Sequence, residues 1–178
     1  YDYPPFNIIS FMWCLLLIEV SYYILHRVHH VVPFFWIFHS VHHGDTKFNT
    51  STSLRHSWFE TLYTFYFYVP VLLIGFPPAM VIISYYTLYA YQCFVHMPYL
   101  KWPRFLDYVL ITPNNHKNHH DQNRKYQDSN YGGIFSFWDR LFGTYTQSLD
   151  TFTPGIKGYK QDNFIKMQID PIVNYFKK

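Results

Sequence analysis

Apolar and polar residues follow one another along this chain in blocks, and three of the apolar blocks have the length of membrane helices. They are residues 6–25, 61–75 and 79–95, and the Phe-Pro-Pro sequence at 76–78 ends one helix and starts the next. A bilayer helix needs roughly 20 apolar residues, so each block is as long as a span or slightly shorter. The pattern predicts an all-α protein, with the buried helices of a soluble α protein as the alternative to membrane spans.

The positions of the charged residues favour the membrane. None of the 14 Lys and Arg residues lies in segments 6–25 and 61–95; all of them lie in 27–60 or 101–178. If 6–25 spans once and 61–95 forms a hairpin, both basic regions fall on one side, which the positive-inside rule makes cytosolic. We therefore expect an integral membrane helical bundle with a cytosolic, histidine-rich helical cap, in the endoplasmic reticulum or the bacterial inner membrane.

The rest of the sequence limits the expected domain organisation, cysteine chemistry and binding partners. The chain is expected to form a single membrane-embedded domain over residues 1–178, and its first residue, Tyr1, predicts a missing upstream segment. Cys14 and Cys93 lie in apolar segments and predict neither a disulfide nor a zinc finger. The Lys and Arg excess is better explained by topology and anionic lipid headgroups than by nucleic acid, so no nucleic-acid partner is expected.

Three histidine clusters carry the candidate chemistry: HRVHH at 26–30, HSVHH at 39–43 and HKNHH at 116–120. Residues i, i+3 and i+4 share one face of a helix, so an HxxHH triplet points three imidazoles into an arc of roughly 100°. Imidazole nitrogen suits iron and zinc, and eight imidazoles on convergent helices exceed the needs of one metal, so two metals are implied. His29, one step off the HxxxH pair, is expected to face solvent or to contact a ligand from outside.

The runs HRVHHVVPFFWIFHSVHH, TPNNHKNHHD and SNYGGIFSFWDRLFGTY surround these clusters. In this order they resemble the fatty acid hydroxylase / sterol desaturase superfamily, from roughly Glu19 to the C-terminus. The resemblance implies a small helical membrane fold, a cytosolic centre of two Fe ions, which Zn can replace, O2 as oxidant and a lipid substrate. It also implies nine metal ligands, the last at the end of the hairpin: His26, His30, His39, His42, His43, His116, His119, His120 and His96.

The segment FNTSTSLR after the second cluster resembles the alkylglycerol monooxygenase and bacterial sterol-desaturase-like branch of that superfamily. The branch continues with Arg-x-His-Pro-x-Glu. This chain has Arg55 and Glu60, but Ser57 stands in place of the histidine and Trp58 in place of the proline. Either His56, one position early, takes over the histidine's role, or that role is lost.

Several polar residues outside the clusters leave two interpretations open. Glu19 lies inside an apolar segment, and it either accepts the N–H of a ligand imidazole or makes a polar contact within the bundle. Asp45 either contacts an imidazole in the same way or caps a helix. Asn130, Asp139 and Arg140 match the superfamily and are expected to brace the cap.

The expected function is O2-dependent hydroxylation or desaturation of a membrane lipid of fatty acyl, sterol or alkylglycerol type. The chain has no GxGxxG or haem-attachment motif, so electrons must come from an external partner: cytochrome b5, a ferredoxin or a reduced pterin. A membrane zinc-dependent lipid hydrolase is the alternative, although the clusters offer no clear general base and only Asp45 and Asp121 are adjacent. Complete triplets argue against a non-catalytic scaffold.

Overall fold

The computed structural model describes residues 3–147, 151–159 and 163–177, and every regular element in these residues is helical. Short 3-10 helices cover Thr50–Leu54, Phe65–Phe67 and Arg104–Tyr108. The described residues form no strand, only two isolated bridges. The prediction of an all-α fold is confirmed. The α-helices of the described residues are α1 (Ile8–Val31), α2 (Pro33–His43), α3 (Thr61–Thr64), α4 (Val69–Leu73), α5 (Pro78–Val95), α6 (Pro113–His119), α7 (Arg124–Gln127), α8 (Phe137–Leu141) and α9 (Phe164–Phe176).

The first apolar block continues into the first histidine cluster as one helix. Asn7 caps α1, because its side chain accepts the N–H of Ser10. The helix ends at Val31 because Val32 precedes Pro33, and a residue before proline is driven into the extended conformation. Pro33 then starts α2, where a proline N–H is not needed. This sharp turn folds α2 back against α1 and brings the first two histidine clusters together.

The membrane layer consists of α1, α4 and α5. Their buried side chains form one apolar cluster that includes Cys14, Ile18, Met80 and Leu88. Large apolar side chains also cover the outside of this layer, as membrane lipid requires; Leu73, for example, is 76% exposed. Within the described residues, α1 is the helix that is both long and apolar enough to cross a bilayer. The chain is a helical membrane bundle with a histidine-rich cap.

The second apolar block, expected as one segment over 61–75, is broken. It forms α3, a 3-10 helix and α4 in succession. Pro70 lacks the N–H that a continuous helix would donate to the carbonyl four residues earlier, which accounts for a new start near this point. Gly75 has a φ of 108°, a conformation open to glycine, and turns the chain towards Pro77 and α5.

The cap is made of short helices and well-bonded loops. Thr112 starts α6 with a capping box, and Pro113 occupies its first turn. The amphipathic stretch near 164–176, expected on the cap or on the membrane surface, is α9 and packs against α2. Its Gln168 is buried and ties α9 to the loop after the second cluster, accepting from the Trp58 N–H and donating to the His56 carbonyl. Both cysteines are free, as predicted.

Candidate metal centre

The nine histidines singled out by the sequence form two compact groups. In each group one ring nitrogen from every member lies within 4.8 Å of those from all the others, and all nine side chains are buried. The five-histidine group contains His26, His30, His39, His43 and His119. The four-histidine group contains His42, His96, His116 and His120.

Helical spacing explains how three clusters supply two groups. Residues four apart point the same way, so α1 contributes His26 and His30 to the five-histidine group, and α2 contributes His39 and His43. The remaining histidine of the second triplet, His42, points to the four-histidine group instead. The triplet at 116–120 divides in the same manner, with His119 joining the five-histidine group. Each HxxHH triplet therefore bridges both groups rather than serving one.

Backbone carbonyls orient several of these rings from behind. The Nδ1 atom of His26 lies 2.9 Å from the carbonyl oxygen of Tyr131, and that of His119 lies 2.8 Å from the carbonyl of Ser129. In the four-histidine group, His42 and His96 face the carbonyls of Arg55 and Gln92 at 3.2 and 2.6 Å. A carbonyl can only accept, so each Nδ1 carries the proton and each Nε2 presents a lone pair to its group.

Two rings of the five-histidine group are backed by carboxylates instead. Nδ1 of His30 is 3.3 Å from Oδ1 of Asp128, whose side chain is 37% exposed. Nδ1 of His39 is 3.4 Å from Oε1 of Glu60, whose side chain is 8% exposed. Carboxylate backing raises the basicity of an imidazole ligand, and the effect is stronger away from water.

Several ring nitrogens are placed to bind cations. The Nε2 atoms of His26, His39 and His119 are buried and have no hydrogen-bond partner among the described residues. Nε2 of His96 lies 3.1 Å from the Nε2 atoms of both His116 and His120. Unpartnered nitrogens in the five-histidine group and closely spaced nitrogens in the four-histidine group can turn lone pairs towards a cation, so the donor set fits one metal ion in each group.

Burial also keeps the cap histidines neutral. Desolvation is the largest cause, and neighbouring imidazoles add to it: the pKa values of His39, His42, His43, His116 and His120 lie well below the ordinary histidine range. Burial also lowers the pKa of His96 to about 4 and of His119 to about 3, although backbone carbonyls oppose it. Neutral imidazole is the form that binds metals.

Neither His29 nor His56 belongs to the two groups, but both lie next to them. His29 is buried, so the expectation that it faces solvent is wrong; its ring lies 4.6 Å from that of His39. Together with His39 and Glu60 it forms a third, smaller cluster whose donor atoms lie within 4.8 Å of one another. His56 stacks on His42 with ring centres 5.0 Å apart and an interplanar angle of 7°. His56 therefore does not join the nitrogen clusters, whereas Ser57 is buried and accepts the N–H of Phe59.

Glu60 joins these two histidines to the centre, and sequence reasoning assigned it no role. Its carboxylate lies 3.4–3.5 Å from the Nδ1 atoms of His29, His39 and His56. Burial alone would raise the pKa of this carboxyl, but the charge and hydrogen bond of His56 outweigh it and lower the pKa to about 2. Two signals were available: an acid at the head of an apolar block is costly unless paired, and Glu60 matches the glutamate of Arg-x-His-Pro-x-Glu.

The other polar residues hold the backbone. Glu19 accepts the N–H groups of Ile134 and Phe135 rather than an imidazole N–H. Asp45 accepts from the Lys47 N–H and the Thr52 hydroxyl, so it neither contacts an imidazole nor caps an α-helix.

The expected braces of the cap are in place. Asp139 accepts the N–H groups of Tyr131 and Gly132. The Asn130 amide donates to the carbonyl of Asn115, and Arg140 donates to the carbonyl of Asp107. These contacts hold the loop whose Tyr131 carbonyl supports His26.

A cavity of about 520 Å³ leads from the histidines into the membrane layer. Its wall contains members of both groups, including His39, His42 and His96. The wall also contains side chains of α4 and α5, such as Leu72 and Ile82. The cavity thus joins a cluster of metal-binding nitrogens to an apolar compartment.

Comparisons with known proteins point to one family. A model described as fatty acid hydroxylase matches residues 11–144. Alkylglycerol monooxygenase of Danio rerio is 34% identical over 139 residues, which cover 78% of this chain and 31% of that protein; the Homo sapiens protein of the same name is 32% identical over 148 residues, covering 77% and 33%. The cholesterol 25-hydroxylase-like protein of Danio rerio is 32% identical over 136 residues, covering 74% and 53%. The chain spans about a third of the length of these alkylglycerol monooxygenases. No solved structure matches it.

Proposed function

Because the chain belongs to the fatty acid hydroxylase family, we propose that it carries the centre of an O2-dependent diiron oxidoreductase that hydroxylates or desaturates a membrane lipid. The observation that carries this proposal is the cavity between the histidine groups and the membrane layer. A lipid lying in it would have one carbon beside the imidazoles and the rest of its chain among apolar side chains.

The nine histidines are the proposed metal ligands, five for one iron and four for the other. Two irons bound there would supply the activation of O2 that oxidation of an unactivated C–H bond requires. The same imidazoles also accept zinc, so zinc can replace iron during expression. The protein's own tasks are to hold the rings in place, exclude water and orient the lipid.

The shape of the cavity supports an elongated substrate. Val81 and His96 both line it and stand 15 residues apart (96 − 81) along and just beyond α5. At a rise of 1.5 Å per residue this corresponds to roughly 22 Å. Val69 and Leu72 of α4 line the same cavity. The names of the relatives fit such a molecule, and we propose a fatty acyl, alkylglycerol or sterol lipid.

The reaction needs an external source of electrons. Hydroxylation inserts one oxygen atom of O2 into a C–H bond and reduces the other to water, which consumes two electrons and two protons. Desaturation takes two hydrogens from the lipid and likewise requires two further electrons to reduce O2 to two waters. We propose cytochrome b5, a ferredoxin or a reduced pterin as the donor, because the sequence carries no nicotinamide or haem-attachment motif.

The contacts of the acids favour this reaction over lipid hydrolysis by zinc. Hydrolysis would need a general base to activate water. Both oxygens of Asp45 and both oxygens of Asp121 accept hydrogen bonds from nearby backbone or hydroxyl groups. The Glu60 oxygens are likewise shared among three imidazoles. These carboxylates are engaged in holding the fold.

We propose that the histidine-rich cap faces the cytosol, at the endoplasmic reticulum or the bacterial inner membrane. The support is the one-sided distribution of the 14 Lys and Arg residues. The membrane layer then delivers the lipid from one side, while the electron donor reaches the cap from the other.

Mass spectrometry of lipids from membranes with and without the expressed full-length protein tests this function. The expected products carry one added oxygen atom or have lost two hydrogens, and they form only with O2. A protein carrying both His116→Ala and His119→Ala is the control, since it lacks one nitrogen from each group. Products of ester or amide cleavage that form without O2 would contradict the proposal and favour the hydrolase.

A further inference from the structure

One buried carboxylate is shared by three imidazoles at the edge of the five-histidine group. Oε1 of Glu60 lies 3.4 Å from Nδ1 of His39 and 3.5 Å from Nδ1 of His29, and Oε2 lies 3.4 Å from Nδ1 of His56. Of these three histidines, only His39 belongs to the nine proposed ligands. Glu60 thus touches the proposed centre through His39 and is held by two histidines that are outside the nine proposed ligands.

Both supporting histidines are themselves anchored. Nε2 of His29 is 3.0 Å from the Tyr63 hydroxyl. Nε2 of His56 is 3.1 Å from the Ser53 carbonyl oxygen. Because both nitrogens of each ring are engaged, the rings cannot turn without losing contacts. The carboxylate is therefore held in position by imidazole contacts to both of its oxygens.

The environment strengthens this contact relative to the other carboxylate of the centre. The Glu60 side chain is 8% exposed, whereas that of Asp128, behind His30, is 37% exposed and also 3.4 Å from Arg124. Water and Arg124 screen the charge of Asp128, whereas the Glu60 carboxylate is shielded from water and is opposed chiefly by His56. The rings of the four-histidine group that show such support, His42 and His96, rest on neutral carbonyls.

We propose that Glu60 is a positioning residue of the five-histidine group, acting through His39: its carboxylate holds the ring with the proton on Nδ1 and makes Nε2 a more basic ligand. His29 and His56 keep the carboxylate in place. The inference rests on the proposed metal centre. Its consequence is an asymmetric pair of sites, in which the five-histidine site binds its metal more tightly because of a buried negative charge.

Glu60→Gln is the appropriate variant because it removes the charge with little change in size, and the amide oxygen can still accept from His39. Asp45→Asn is the matched control: Asp45 is also buried and near the centre, but it bonds to Lys47 and Thr52 and to no histidine. Wild-type and both variants are loaded with Fe(II) without oxygen and titrated with a chelator, and the reduction potential of the bound iron is measured.

In Glu60→Gln we expect one of the two irons to be released at a chelator concentration roughly 10–100-fold lower than in the wild-type. The potential of that iron should become more positive, because a negative charge has been removed beside its ligand; a merely structural contact would not shift it. Asp45→Asn should release both irons as the wild-type does.

Wild-type affinity and potential in Glu60→Gln would overturn the assignment. So would an equal loss in Asp45→Asn, which would show that any buried carboxylate near the centre has the same effect. A wild-type protein that binds no iron would contradict the metal centre itself, and the assignment of Glu60 would fall with it. The wild-type measurement therefore separates failure of the proposed function from failure of this inference.

Discussion

Glu19 joins the membrane helix α1 to the loop that supports the cap, and replacing it by alanine should destabilise the whole domain. The side chain is fully buried, and its oxygens lie 3.0–3.1 Å from the backbone N–H groups of Ile134 and Phe135. The same loop carries Tyr131, whose carbonyl supports His26. The contact connects residues 115 positions apart.

The expected loss in the free energy of unfolding follows from the number of backbone N–H donors left unpaired. Glu19→Ala leaves two backbone N–H groups without their acceptor, and each such group costs about 1–3 kcal/mol when buried. The total of about 2–6 kcal/mol is a large part of the 5–15 kcal/mol typical of a domain, as an order of magnitude. Glu19→Gln can keep its one acceptor oxygen at the Oε2 position, which lies 3.0 and 3.1 Å from the N–H groups of Ile134 and Phe135, so it should lose less stability than the alanine variant.

Denaturant unfolding in detergent measures both variants against the wild-type, with metal content determined in parallel. The order of stability should be wild-type, Glu19→Gln, Glu19→Ala, and the alanine variant should also bind less metal because the His26 support is displaced. If Glu19→Ala unfolded within about 0.5 kcal/mol of the wild-type, water would be replacing the carboxylate, and the reasoning about this loop would be refuted.

Three further outcomes follow from the site and the membrane layer. His30→Ala should lose a metal and all turnover, whereas His29→Ala should keep both, because Glu60 still reaches His39; the opposite result would mean that the ligand register of the first cluster is wrong. Lys125→Cys, in a background of Cys14→Ser and Cys93→Ser, should react with an impermeant reagent only after cells are permeabilised; labelling of intact cells would reverse the topology. Leu72→Trp should favour shorter lipids, since each excluded methylene is worth about 0.8 kcal/mol, or about fourfold in relative kcat/KM; an unchanged chain-length preference would show that the lipid does not lie along α4.

Local periodicity explains why the histidines could be predicted. His26 and His30 on α1, and His39 and His43 on α2, are four residues apart on single helices, so their common direction depends only on helix geometry. The division of each triplet between two groups was not foreseen, because it depends on how α1, α2 and α6 pack. His96 was expected from the family resemblance alone, and the fold brings it to the four-histidine group.

Contacts between distant residues were beyond sequence reasoning. Nothing near Glu19 in the chain indicates Ile134 as its partner. The role of Glu60 depends on rings that reach it from α1 and α2. The break in the block at 61–75 had a local signal in Pro70, but apolar composition outweighed it in the prediction of a single segment.

The metal content of the purified, iron-supplemented protein tests the central claim most directly. The two histidine groups predict two metal ions per chain, whether iron or zinc is bound. His119→Ala and His116→Ala should each reduce the content towards one, because each removes a nitrogen from a different group. A wild-type protein that reproducibly bound a single metal, with half of the histidines free, would contradict the two-metal centre.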